Sequence, residues 1–126
     1  MFDGKLNEFC NVVNQDVTER GFWNDMSESV SVLLNAGVSN ELSNAVNKAF
    51  ISQKIALIIS ECSEALEAIR KDSYGLEQKD TFEDEIADTI IRLCDLCGAL
   101  DIDIEKQISW KMRYNKNREH KHGKKF

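Results

Sequence analysis

The sequence predicts an all-α fold, a helical bundle of four or five helices, on three observations. Its 126 residues include no proline, the residue that most firmly breaks a helix interior. Apolar side chains recur at three- and four-residue intervals nearly throughout, which is the spacing of one helix face. Aromatic and β-branched residues nowhere alternate with polar ones as a half-buried strand requires. The length suits one domain, residues 1–126, with a single modest core.

Asp3 is placed to cap a first helix carrying Leu6, Phe9, Cys10, Val13 and Val17 at helical spacing, ending near Gly21. Phe22-Trp23-Asn24 follows as a connection whose aromatic pair suits plugging a core. Met26, Val30, Leu33 and Leu34 mark a short helix ending at Gly37. Ser39 or Asn40 then caps a long helix with a stripe from Leu42, Ala45, Val46 and Ala49 to Ile55, Ile58, Cys62, Leu66 and Ile69. The turn formers Asp72-Ser73-Tyr74-Gly75 allow a reversal. Thr81 or Asp80 caps the next helix, whose stripe is Phe82, Ile86, Thr89, Ile90 and Leu93. That helix is expected to run to about Cys97, with Gly98 just beyond it as a C′ residue. Asp101 or Asp103 opens a last helix through Ile104, Ile108 and Met112. Residues 118–126 form a basic tail, and its closing His-Gly-Lys-Lys-Phe reads as a mobile arm.

No apolar run approaches the length of a membrane span, and Met-Phe-Asp-Gly-Lys-Leu-Asn-Glu-Phe at the start has no signal-peptide core. No membrane contact and a cytoplasmic location are expected. Cys10, Cys62, Cys94 and Cys97 show no framework spacing, so free thiols are expected rather than a disulfide, redox or zinc site. Net charge is −6 but unevenly divided, with 8 basic and 21 acidic residues in 1–105 and 8 basic and 1 acidic in 106–126. An acidic body with a basic end suits a metal-plus-phosphate site, a tail folded back on its own body, or a nucleic-acid contact.

The chemistry concentrates between Glu61 and Asp88. Glu61-x-x-Glu64 and Glu85-x-x-Asp88 are two pairs of acids three apart, so each pair lies on one helix face. Antiparallel packing through the two stripes would bring all four together along one edge of the seam. Carboxylates so close raise one another's pKa unless cations neutralise them, and oxygen-only clusters suit Mg²⁺ or Mn²⁺. Acids in a first helical turn also complement the helix dipole without binding anything, and most acidic faces are merely solvated. Lys54, seven residues before Glu61, falls near the same face and is read as a salt bridge to the acids or as a phosphate contact. Arg92, four residues after Asp88, is placed to pair with it or to touch phosphate.

Glu61-x-x-Glu64, twenty residues and then Glu85-x-x-Asp88 resemble the ExxE…ExxD signature of the MazG-like nucleotide pyrophosphohydrolases. The flanks KIALIISECSEALEAIR, DEIADTIIRLCDLCGALDIDIEKQI and KMRYNKNREHKHGKKF extend the resemblance over about residues 50–126, while 1–49 match loosely. The resemblance implies an all-α oligomer, a homodimer or homotetramer, hydrolysing a nucleoside triphosphate to monophosphate and pyrophosphate. It implies Mg²⁺ held by Glu61, Glu64, Glu85 and Asp88, with Glu61 or Glu64 also taking the proton of the attacking water. Lys111, Asn115 and Arg118 resemble the family's KxxxNxxR element and would hold the phosphates, together with Lys54 and Arg92. Related enzymes stack nucleobases on aromatic side chains of the N-terminal part, a role that would fall to Trp23. Two other classes remain: a non-catalytic helical oligomerisation module, and a nucleic-acid binder using the basic tail. The −13 balance of residues 1–105 opposes a broad nucleic-acid footprint.

Overall fold

The computed structural model describes residues 2–118; the tail 119–126, expected as a mobile arm, lies outside the described residues. Five helices make up the fold and no strand occurs among the described residues: α1 (Lys5–Glu19), α2 (Asn24–Asn35), α3 (Asn40–Arg70), α4 (Phe82–Ala99) and α5 (Ile104–Lys116). No helix among them is long and apolar enough to cross a membrane. The four cysteines are free thiols.

Local chemistry fixes the starts of three helices. Ser39 accepts from the Leu42 amide, Thr81 from Asp84 and Asp103 from Lys106, each satisfying a first-turn donor that has no partner within the helix. At α1 the expected cap fails. Asp3 adopts a left-handed backbone, Gly4 takes the N-cap position, and no side chain of that segment caps the helix. Glu105 does so from α5, its two carboxylate oxygens accepting from Gly4 N at 2.9 Å and Leu6 N at 2.8 Å. The Asn7 amide donates to Asp103 at 2.8 Å, so the start of α5 is tied to the start of α1.

α4 is the central helix, packed against α3 on one side and α1 on another, with α2 resting on α3 and α5 on α1. Gly98 lies inside α4 rather than beyond its end. A Cβ there would lie 2.5 Å from the Cys10 carbonyl oxygen and 2.7 Å from the Asn14 Cβ. Glycine at this position therefore serves the close crossing of α1 and α4, not a C-cap.

The α3–α4 seam keeps Ile58 of the expected stripe, and Ala65 beside it, but not the larger residues. Ile58, Glu61, Ala65 and Ala68 are the buried residues of this part of α3, with Glu85 facing them from α4. Alanines let the two backbones approach, whereas Leu66, Ile69, Ile86, Ile90 and Leu93 remain outside the seam and exposed. Cys62 and Thr89 meet at the seam's border, their side chains 3.8 Å apart. Large apolar residues of both helices are thus left uncovered.

Candidate metal and substrate site

Three of the four signature acids converge. Oxygens of Glu61, Glu85 and Asp88 lie within 4.8 Å of one another. Glu61 and Glu85 are buried, while Asp88 is half-buried and opens toward solvent. Glu64 sits one turn further along α3, exposed, its carboxylate within 3.5 Å of the Ser60 hydroxyl, and is not one of the converging three. Its charge still reaches the cluster. Burial first, then Glu64, Glu61, Asp84 and Asp88 in that order, push the Glu85 carboxyl above its ordinary range. A second acidic group, Asp80, Asp84 and Glu85, adjoins the first through the shared Glu85. Lys79 holds Asp84 at 2.7 Å and lies 3.9 Å from Asp88. That hydrogen bond keeps the Asp84 carboxyl below the usual range.

Arg92 does not pair with Asp88 on its own helix. Its Nε reaches across the seam to Glu61 Oε1 at 2.5 Å, so one fixed cation offsets part of the cluster's charge. An arginine and three carboxylates leave an excess of negative charge in a partly desolvated place, and all the donors are hard oxygens. That donor set fits a divalent ion such as Mg²⁺.

A cavity of about 190 Å³ adjoins the cluster through Asp88, its other lining residues including Arg92, Asp95, Lys54, Phe22 and Leu57. Lys54 makes no bridge to the acids. Its ammonium donates to the Phe22 carbonyl at 2.7 Å and lies 4.3 Å from the centre of the Trp23 ring. Burial lowers its pKa, with Asp95 opposing that shift and Arg92 adding to it. Trp23 itself lines a neighbouring cavity with Met26 and Val30, its N–H given to Asp95. The aromatic ring bordering the acid-lined cleft is that of Phe22, which is exposed.

Lys111 and Asn115 on α5 and Arg118 just past its end are exposed, and none borders this cleft. Lys111 and Arg118 instead lie over the Tyr114 ring, which stacks on Trp110. Sequence reading missed Asp95, although it lies seven residues after Asp88 on the same face of α4. An acid amid Leu93, Cys94, Leu96 and Cys97 was the available signal. Comparison of the chain with protein-family models, with curated proteins and with solved structures returned no match.

Proposed function

We propose that this cleft hydrolyses a nucleoside triphosphate to the monophosphate and pyrophosphate. The observation that carries the reading is the convergence of Glu61, Glu85 and Asp88, the last of which lines a cavity together with the cations Arg92 and Lys54. These three residues would hold Mg²⁺ or Mn²⁺, which supplies charge neutralisation at the α- and β-phosphates. Arg92 turns its guanidinium from Glu61 toward phosphate oxygen once the acids are otherwise neutralised. Glu64, outside the converging three but in electrostatic range of them, takes the proton of the attacking water. The water oxygen bonds to the α-phosphorus, the bond from that phosphorus to the bridging oxygen breaks, and pyrophosphate departs. Lys111, Asn115 and Arg118 receive its charge when brought to the site by a neighbouring copy of the chain.

Association into a dimer or tetramer belongs to the same proposal. Large apolar side chains of both long helices stay exposed, among them Ile55, Ile59, Leu66 and Ile69 of α3 and Ile86, Ile90 and Leu93 of α4, and contiguous exposed apolar patches mark interaction surfaces. These side chains are what such an interface would cover.

Incubation with nucleoside triphosphates and Mg²⁺ in ¹⁸O-labelled water tests the reaction. Label in the monophosphate and release of unlabelled pyrophosphate are expected. Label in orthophosphate or in pyrophosphate alone, or no turnover of any triphosphate, would overturn the reading.

A further inference from the structure

The structure carries a second, inner group of polar residues around Asp95 that the metal site does not use. Asp95 is 7% exposed and borders the cleft. Its Oδ1 accepts from the Asn14 amide at 2.8 Å and from the Trp23 indole at 2.9 Å. Among the described residues its Oδ2 has only the same indole N–H, at 3.1 Å. A carboxylate offers about four acceptor positions, so Oδ2 retains acceptor capacity in a place with little access to water. Lys54 does not take it up, being held on the Phe22 carbonyl.

Spacing says what could reach it. Asp88, Arg92 and Asp95 are related by four and three residues and lie along one face of α4. Seven residues of α-helix rise about 10 Å, comparable to the span of a 5′-nucleotide from its α-phosphate to the pairing edge of its base. With the phosphate end at Asp88 and Arg92, the base falls beside Phe22, with its edge at Asp95.

We infer that Asp95 is a specificity-determining residue that accepts a hydrogen bond from an exocyclic amino group of the substrate base. Substrates carrying cytosine, adenine or guanine are then favoured over those carrying uracil or thymine. Uracil and thymine place carbonyl oxygens where cytosine has its amino group, setting lone pairs against a carboxylate that is already short of donors. Buried polar groups left in that state are costly, and sites built on them discriminate strongly. The inference rests on the proposed nucleotide hydrolysis for the placing of the phosphates.

The Asp95→Asn variant offers a directed test. Oδ1 must remain an acceptor for Asn14 and Trp23, so the new amide nitrogen takes the Oδ2 position and presents a donor to the cleft. Rates of pyrophosphate release are compared for CTP, ATP, GTP, UTP and TTP in both proteins. The wild type is expected to prefer at least one amino-bearing base to UTP and TTP by about tenfold or more in kcat/KM, and Asp95→Asn to shift that ratio toward UTP and TTP. Equal rates on all five in the wild type, or a variant that slows all five by one factor, would overturn the inference; the wild-type comparison needs no folded variant. Thermal shifts with CMP and UMP separate the two readings. Should no triphosphate turn over, a larger shift with CMP than UMP, reversed in Asp95→Asn, would still support recognition at Asp95, and equal shifts would remove it.

Discussion

Replacing Glu85 by glutamine should make the protein more stable without divalent ions and less stable with them. Glu85 is 5% exposed and has two other carboxylates within 4.8 Å. At that separation one pair of unit charges repels by about 1 kcal/mol in a water-like dielectric and about 3 kcal/mol at an effective dielectric of 20. Arg92 offsets part of the charge on Glu61, and Asp88 is partly solvated, so the lower figure applies. A chain of this length loses roughly 0.26 kcal/mol of stability per degree near its midpoint, so the variant in EDTA should melt about 4 °C higher. Saturating metal works the other way. At a hundredfold excess over Kd it stabilises the wild type by about 2.7 kcal/mol, roughly 10 °C, while the variant lacks its central carboxylate and gains little. The order of the two melting temperatures should therefore cross on adding millimolar Mg²⁺, read by calorimetry on matched samples. A variant that melts below the wild type in EDTA, or that shifts equally with Mg²⁺, would refute the assignment of Glu85 to a metal site.

The same carboxyl predicts a pH trend. Its folded pKa is raised, so its contribution to stability is fully present below the unfolded value and is lost as pH rises through the folded one. In EDTA the advantage of Glu85→Gln should shrink as pH falls, and denaturant melts across the acid range would show whether it does. Gly98→Ala gains about 1 kcal/mol of helix propensity but puts a methyl group 2.5 Å from the Cys10 carbonyl oxygen, a backbone atom that cannot swing aside. A net loss of roughly 1–2 kcal/mol is expected in urea unfolding, and a gain would contradict the close α1–α4 crossing. Glu105→Ala removes both acceptors at the start of α1 and should cost about 1 kcal/mol, with faster amide exchange in residues 4–8.

What the sequence disclosed was local. Ser39, Thr81 and Asp103 cap their helices because a cap needs only a hydroxyl or carboxylate and an amide two or three residues away. Asp3 fails because Glu105, about a hundred residues distant, already holds the α1 amides, and no local pattern reveals that. Gly98 was open to misreading for a related reason: a glycine near a helix end has a ready local role, and only the tertiary crossing shows the other. The acid signature placed Glu61, Glu85 and Asp88 together, since helical phase and an antiparallel return suffice for that. Partner choice was not legible. Arg92 reaches Glu61 across the seam rather than Asp88 on its own helix, and Lys54 turns to a loop carbonyl. Long cationic side chains choose among acceptors by tertiary position, whereas sequence spacing ranks only those on the same helix.

The position of α5 leads to the last prediction. Lys111, Asn115 and Arg118 resemble a phosphate-binding element, yet α5 rests on α1 and these side chains do not border the acid-lined cleft. α5 is tied to α1 at its start by Glu105 and Asp103, which opposes swinging it across α4 within one chain. A neighbouring copy can deliver the same residues without breaking those bonds. Glu85→Gln and Lys111→Ala should then each be inactive alone, and unfolding and refolding them together should restore turnover. In a symmetric dimer, half of the randomly assorted molecules are mixed and one of their two sites carries neither change, so recovery should approach about a quarter of wild-type activity. Were acids and cations supplied by the same chain, every site in the mixed dimer would carry one defect, and no activity would return. A refolded mixture shown to contain heterodimers but still inactive would therefore place the phosphate-binding cations in the same chain as the acids, or remove α5 from the site.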